Sequence, residues 1–326
     1  MKVLHCDLFT YPLPPDHRFP AAKYGLLRKR VADELTPPCE LLTPDAATDV
    51  ELLRVHHPEY LAKVVSGALT DREVRRIGLP WSPELVERSR RSVGGTIEAC
   101  RSALLDGIAV SLAGGTHHAF PDHGAGYCIF NDVAVAVRAL QAEGRARRIV
   151  VVDCDVHQGD GTAAIFADDS SVFTFSIHGA KNFPLHKERS DLDVNLPDGT
   201  GDVDYLDALE IGLERSLALA CADLAIYLAG ADPFVGDTLG RLALSKDGLA
   251  ARDRLVFAQC RDADLPVAVV MGGGYAKNIQ DTVEVQLETV RIAAKTRNAS
   301  TDAALQETQR LLGDAQRRAV EMVLGK

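Results

Sequence analysis

Short apolar runs alternate with longer segments of mixed polarity along most of this chain. A run of four to six mainly apolar residues predicts a strand buried on both faces, which is typical of a parallel sheet. We expect such strands in residues 2–6, 108–112, 149–152, 172–177, 224–229 and 266–271.

Between these runs, apolar residues recur every three or four positions, which predicts amphipathic helices. Ser82-Pro83, Asn131 and Ser245 are residues that favour a helix start. The predicted helices cover residues 21–34, 83–105, 131–142, 204–221, 245–261, 279–295 and 301–324, with a short helix beginning at residue 58. The proline-rich residues 11–20 and the polar residues 179–202 are expected to form loops.

Strands that alternate with helices predict an α/β fold, with a mostly parallel β-sheet flanked by helices on both faces. No internal repeat and no linker marks a boundary. We therefore expect one domain over residues 1–326, a length sufficient to bury a full core.

Charge and cysteine content narrow the classes of partner. The net charge of −10 argues against passive attraction to nucleic acid or to an anionic membrane surface. Seven cysteines without a Cys-x-x-Cys spacing favour reduced thiols over a disulfide framework. The N-terminus lacks the apolar core of a signal peptide, and no apolar run is long enough to cross a bilayer. We expect a cytoplasmic protein without a nucleic-acid partner or a membrane span. Whether the chain forms a homo-oligomer is left open.

The residues with the most suggestive chemistry follow the ends of predicted strands. They are His117 and His118, then Asp153, Asp155, His157 and Asp160, then Asp232, and finally Tyr275 after three glycines. The carboxyl ends of parallel strands meet at one edge of a sheet, where ligands bind in such folds. Alternation along a strand also places Asp153, Asp155 and His157 on one face. Two acids and an imidazole crowded together indicate a bound divalent cation.

These residue types predict a metal-dependent hydrolase. Asp155, His157 and Asp232 could hold zinc and leave coordination positions open. The metal would then lower the pKa of a bound water to about 7. One of the tandem histidines could act as base and acid while the other stabilises charge, with Asp153 and Asp160 available to orient the two rings. Tyr275 could donate a hydrogen bond to a developing oxyanion.

Taken singly, each feature has a plainer interpretation. Gly272-Gly273-Gly274 could be a tight turn or a phosphate loop, Asp232-Pro233 a turn, and a tandem His-His pair a surface feature. His56-His57 has no acid pair beside it, so we interpret it as surface or helix-start histidines. Only the joint arrangement favours the metallohydrolase.

Five segments, taken together and in order, resemble the zinc-dependent histone deacetylase family of the arginase/deacetylase fold. They are Gly115-Thr116-His117-His118-Ala119, Gly126 to Asp132, Asp153 to Gly161, Ala229-Gly230-Ala231-Asp232 and Gly272-Gly273-Gly274-Tyr275. The resemblance implies that Asp155, His157 and Asp232 bind zinc. It also implies that His118 is the general base and acid backed by Asp160, and that His117 is its electrostatic partner backed by Asp153. Tyr275 would polarise the substrate carbonyl.

The resemblance implies further sites. Gly126 and Tyr127 would line a narrow channel for an acyl-lysine side chain, with Gly273 and Gly274 as further substrate-binding residues. The family also binds potassium, here by Asp153, the backbone carbonyls of Asp155 and His157, Ser176 and Ile177. An outer potassium site would fall at Phe166, Asp169 and Val172. Ferrous iron could replace zinc in cells.

Some segments depart from the classical pattern. Gln158 stands where many classical members carry a second histidine. The segments 17–20, 77–81 and 236–242 look more like the class IV branch and its bacterial relatives. That branch includes enzymes that remove long acyl chains, so the acyl length is left open.

The leading hypothesis is removal of acetyl or longer acyl groups from the lysine side chains of proteins or peptides. A close alternative is an acetylated polyamine or another small acylated amine, a substrate that would favour an acidic rim and a dimer that narrows the entrance. A two-metal ureohydrolase needs a second acid pair beside Asp232, whereas Pro233-Phe234 follows directly. A non-catalytic binding module is the remaining class.

Overall fold

An eight-stranded, wholly parallel sheet forms the centre of the structure, a computed structural model that describes residues 1–14 and 17–297. The strand order is β2-β1-β3-β8-β7-β4-β5-β6. The bounds are β1 Lys2–Leu4, β2 Glu40–Leu42, β3 Ile108–Ser111, β4 Ile149–Asp153, β5 Val172–Gly179, β6 Leu192–Leu196, β7 Leu224–Leu228 and β8 Val267–Val270. The predicted α/β class with a parallel sheet is confirmed.

All six predicted strands are present, and the two that the sequence pattern missed are the edge strands. The segment β2 begins with an exposed glutamate, and β6 carries aspartate and asparagine in a half-exposed strand. Neither is a continuous apolar run, because an edge strand is covered on fewer sides than a central one. The prediction of a loop throughout residues 179–202 was therefore wrong at β6.

Nine α-helices precede a final helical segment in the described part of the chain. They are α1 Ala22–Glu34, α2 Asp49–Leu52, α3 Pro58–Ser66, α4 Asp71–Ile77, α5 Pro83–Asp106, α6 Asp132–Ala142, α7 Asp160–Phe166, α8 Asp202–Ala220 and α9 Lys246–Asp262. Residues 279–297 are also helical, and the helix predicted for 301–324 lies outside the described residues. The predicted caps are confirmed: Ser82, Asn131 and Ser245 each accept a backbone N–H from the first turn.

Helices cover both faces of the sheet. Along β4, Val151 packs with α5 and α6 on one face, whereas Val150 and Val152 pack with α8 and α9 on the other. Each of these valines is at most 2% exposed. Burying one valine or leucine side chain stabilises the fold by about 1.5–3 kcal/mol, so the central strands are the anchor of both layers.

The parallel arrangement has one consequence for the site. Strands β3, β8, β7 and β4 are successive neighbours, so the loops that follow them emerge at one edge of the sheet.

Within the described residues, no helix combines the length and apolarity needed to cross a bilayer.

Candidate active site

The loop after β4 is fixed by hydrogen bonds to its own acids and to neighbouring loops. The backbone N–H of Asp155 donates to Asp153 Oδ1 at 3.1 Å. The N–H of Gly273, after β8, donates to Asp155 Oδ2 at 2.7 Å. The N–H of Val156 donates to Asp232 Oδ1 at 2.9 Å. Three strand ends are thereby tied together through two carboxylates.

Asp155, His157 and Asp232 come together as the sequence predicted. Their potential ligand atoms all lie within 4.8 Å of one another. The Nδ1 atom of His157 is 3.0 Å from Asp155 Oδ1 and 3.3 Å from Asp232 Oδ2. Both aspartates are at most 1% exposed.

This set of donors fits a divalent cation. The Oδ2 atom of Asp232 is buried and accepts no hydrogen bond from any described residue, which is costly for a carboxylate. Burial and the negative charge of Asp155 raise the pKa of Asp232 to about 7. A cation between the two carboxylates would remove both the repulsion and the missing partner, and two carboxylates with one imidazole suit a catalytic zinc or iron site.

The structure pairs each tandem histidine with a separate acid. His117 Nδ1 lies 2.7 Å from Asp153 Oδ2, and His118 Nδ1 lies 2.6 Å from Asp160 Oδ1. All four side chains are buried. Burial opposes charge on His117, but the carboxylates of Asp153 and Asp155 outweigh it and raise the pKa of His117 to about 9. Burial, reinforced by the charge of His117, lowers the pKa of His118 to about 4.

Tyr275 faces the same small cavity as the tandem histidines, Asp155 and His157. The cavity volume is about 30 Å³. The turn before Tyr275 needs glycine, since Gly272 has φ +54° and Gly274 has φ +148°. The backbone N–H of Tyr275 donates to Asp237 Oδ2 at 2.6 Å, which fixes the position of the tyrosine backbone.

Gly126 and Tyr127 form the wall next to His118. Gly126 has φ +54°, and a Cβ atom there would lie 2.6 Å from Cδ2 of His118. Tyr127 is a non-glycine residue at φ +66°, held by its N–H bond to the carbonyl oxygen of Ile77 at 2.7 Å. The Phe183 ring also meets the His118 ring edge-on, with centroids 4.9 Å apart. Glycine at 126 therefore lets the wall approach the imidazole closely.

The predicted inner potassium residues lie on adjacent strands. Asp153 at the end of β4 pairs in register with Ser176 on β5, and Ile177 follows within β5. The Oγ atom of Ser176 lies 2.9 Å from Nδ1 of the buried His178. At the predicted outer site, the Asp169 carboxylate forms an ion pair with Arg138 at 2.5 Å.

Several supporting residues were missed by the sequence analysis. Asp132 accepts the N–H groups of Gly115 and Thr116 and so holds the loop of the tandem histidines. The buried Arg252 donates to the carbonyl oxygen of Gly230 at 2.5 Å and supports the loop before Asp232. Asp132 was a recognisable N1 acid, but nothing in the pattern of α9 indicates that Arg252 is buried.

The interpretation of His56 as a surface residue was wrong. His56 is 1% exposed, its Nδ1 atom lies 3.1 Å from the carbonyl oxygen of Phe120, and its Nε2 atom accepts the N–H of Asn131 at 3.0 Å. His57 is exposed at the N-cap position of α3, as expected. Only the tertiary contacts with the loop before α6 distinguish the two residues.

A family model described as "Histone deacetylase domain" matches residues 17–290 of this chain. The chain belongs to the histone deacetylase family. It is 50% identical over 282 residues to an uncharacterized protein of Picosynechococcus, covering 86% of this chain and 94% of that protein. It is 32% identical to Histone deacetylase 2 of Arabidopsis thaliana, covering 82% and 73% of the two chains. A crystal structure of an HDAC homolog from Aquifex aeolicus superposes with a TM-score of 0.76 at 25% identity, covering 90% and 83%.

Membership of this family makes the chain a deacetylase-type amidohydrolase, and the predicted arginase/deacetylase-like fold is confirmed. The closer similarity to the class IV branch and its bacterial relatives stays a prediction. Gln158, which departs from the classical pattern in the sequence, donates from Nε2 to the carbonyl oxygen of Glu188 at 2.6 Å and to Asp193 Oδ1 at 2.8 Å. In this member the position therefore anchors the loop that carries Phe183.

Proposed function

We propose that residues 1–326 form one catalytic domain that hydrolyses acyl-lysine side chains of proteins or peptides with a metal-activated water. The observation that supports this most directly is the arrangement around one small cavity. A space of about 30 Å³ is bordered by the two separately paired histidines, by Tyr275 and by two of the three candidate ligands, Asp155 and His157. These side chains could bind a metal, act as general base and acid, and stabilise the developing negative charge, which are the roles that amide hydrolysis requires.

Asp155, His157 and Asp232 would hold zinc or ferrous iron. When bound, the metal would act as a Lewis acid and supply a nucleophilic water at neutral pH. Asp153, Asp155, His157, Ser176 and Ile177 would hold potassium behind this site, through side-chain and backbone oxygens.

His118 would act as general base and then as general acid. With its pKa at about 4 the ring is neutral at pH 7, and the bond from Nδ1–H to Asp160 leaves Nε2 free to accept a proton. His117, kept cationic by Asp153, would stabilise the negative charge that develops on the substrate. The phenol of Tyr275 would donate a hydrogen bond to the carbonyl oxygen of the substrate.

The cavity favours a short acyl group. A volume of about 30 Å³ has space for roughly two water molecules. The buried Arg88 is one of its lining residues; its Nε–H donates to the carbonyl oxygen of Phe9 at 3.2 Å, and its guanidinium lies 5.0 Å from the Tyr24 ring centroid. We therefore expect acetyl to need less movement of these side chains than a long acyl chain.

A panel of lysine peptides with acyl chains of increasing length tests the proposal. The zinc-loaded protein is expected to cleave acetyl-lysine fastest, with turnover falling steeply beyond about four carbons. Tyr275→Phe should retain zinc and lose most of its turnover, by about 10²–10³-fold. The proposal would be wrong if Tyr275→Phe turned over the peptides as fast as the wild type, or if the zinc-loaded protein cleaved none of them.

The other functional classes have less support. One cluster with metal-ligand geometry occurs among residues 1–14 and 17–297, and a two-metal ureohydrolase needs a second set of ligands beside it. A non-catalytic module would have no need for two buried histidine–aspartate pairs at a metal site. The polyamine alternative depends on the charge around the channel mouth.

A further inference from the structure

The mouth of the channel is lined by cationic side chains. On one side of Tyr275, Arg18 and Lys277 border a cavity of about 460 Å³. On the other side, Lys181 and Arg241 border a cavity of about 320 Å³ that reaches His118. We call these four cations the basic rim. Among the described residues that line the two cavities there is no carboxylate.

The basic rim is only partly neutralised. Asp198 lies 3.2 Å from Arg241 Nη1 and 3.9 Å from Lys181 Nζ, so one exposed carboxylate serves two cations. Arg18 and Lys277 have no ion pair within the described part of the chain and are exposed. Since the whole chain carries a net charge of −10, this local excess of positive charge runs against the average composition.

Asp237 lies beneath the rim but does not offer its charge to a substrate. Its carboxylate accepts the backbone N–H groups of Leu239, Gly240 and Tyr275. Beside the rim, Phe183 and Leu185 are 44% and 87% exposed, which provides apolar surface next to the cations. The mouth therefore combines positive charge with an apolar ledge, a combination suited to a peptide that carries acidic residues.

We infer that the preferred substrate is an acyl-lysine in an acidic segment, with aspartate or glutamate close to the modified lysine on either side. This inference rests on the proposed function and specifies its substrate class. An acetylated polyamine carries further ammonium groups, and these would meet four like charges at the mouth. A lysine- and arginine-rich tail would meet the same repulsion.

Three acetyl-lysine peptides that differ only in the flanking residues test the inference on the zinc-loaded full chain. Their flanks carry glutamate, glutamine or lysine. The expected order of kcat/KM at low salt is glutamate, then glutamine, then lysine, with about a tenfold span between the extremes. At 1 M salt the screening length falls to about 3 Å, and the span should shrink to about twofold. N-acetylspermidine should be cleaved more slowly than the glutamate peptide.

Charge-reversal variants locate the source of the preference. Lys277→Glu and Arg18→Glu should each lower kcat/KM for the glutamate peptide by about three- to tenfold and raise it for the lysine peptide. For a short acetyl-lysine amide without charged flanks, the change in kcat/KM should be smaller than for either charged peptide. The matched control is Arg215→Glu, which makes the same charge change at an exposed site on α8 near the start of β4. It should leave the order and span intact.

The outcomes separate the two levels of the proposal. Equal turnover of the three peptides, or an unchanged preference in Lys277→Glu and Arg18→Glu, refutes the role of the basic rim while acyl-lysine hydrolysis stands. Cleavage of N-acetylspermidine with no cleavage of any peptide refutes both. The role of the basic rim is established if the preference for the glutamate peptide over the lysine peptide reverses in Lys277→Glu and Arg18→Glu but not in Arg215→Glu.

Discussion

His117 and His118 are neighbours in the chain with ring centroids 4.2 Å apart, yet their Nδ1 atoms contact different carboxylates and the two pKa values move in opposite directions. The pKa of His117 rises to about 9 because Asp153 and Asp155 outweigh the effect of burial. The pKa of His118 falls to about 4 because burial dominates and His117 carries a positive charge beside it. One cationic and one neutral imidazole at neutral pH are what a charge-stabilising residue and a general base need.

The Asp160 carboxylate should matter for catalysis rather than for metal binding. In Asp160→Asn the charged acceptor of the His118 ring becomes a neutral amide, which can also turn its NH2 group toward Nδ1 and favour the wrong tautomer. The kcat should therefore fall by about 10- to 100-fold with zinc content unchanged. Steady-state kinetics and metal analysis measure both. Asp122→Asn is a matched control, because Asp122 lies 2.7 Å from His123 in an exposed pair outside the cavity. If Asp160→Asn were as active as Asp122→Asn, the role of Asp160 would be wrong.

The ligand set should bind metal as a unit. Asp155→Ala and Asp232→Ala each remove one of two buried carboxylates from a three-residue set. Both are expected to lose zinc binding, measured as bound zinc per chain after dialysis, and to lose the rise in Tm that added zinc gives the wild type. Tyr275→Phe, which alters the same cavity without touching a ligand, should keep its zinc. Full zinc occupancy in Asp232→Ala would contradict the ligand assignment.

Gly126 should be required for the position of His118. In Gly126→Ala the added methyl would lie 2.6 Å from His118 Cδ2, so the imidazole must shift and kcat should fall by about 10²-fold. Gly144→Ala is the control for backbone strain: its φ is +67°, similar to the +54° of Gly126, but no atom lies within 4 Å of the new methyl. Both variants should lose about 1 kcal/mol of stability. Comparable kcat in the two variants would exclude a steric role for Gly126.

His56 should make the fold sensitive to acid. Burial lowers its pKa from 6.5 to about 4, so the unfolded chain binds the proton more readily than the folded chain. The stabilisation is complete above pH 6.5 and is lost as the pH falls toward 4, to a total of about 3 kcal/mol.

Denaturant unfolding of the wild type and His56→Gln between pH 7 and pH 4 measures this contribution. The variant is expected to start less stable, because it loses the bonds to Phe120 and Asn131, but to lose less stability on acidification. The difference between the two curves isolates His56 from the other buried histidines. Parallel curves would show that His56 does not titrate on unfolding.

The sequence by itself determined the parts of this protein that depend on local pattern. Apolar runs located the six strands other than the edge strands, because a strand covered on both faces has little polar surface. Three residues placed by one strand and its following loop, Asp153, Asp155 and His157, followed from alternation and from the chemistry of crowded acids. The five ordered motifs also predicted the family to which the chain belongs.

Only the tertiary structure decided what depends on distant segments meeting. It placed His117 against Asp153 and His118 against Asp160, a pairing that the family resemblance implied but that residue chemistry alone left open. It buried His56 and left its neighbour exposed, and it gathered Arg18 and Lys277 at one mouth in an acidic chain. Pairing, burial and local charge depend on which atoms are close in space, and the spacing of residues along the chain does not contain that distance.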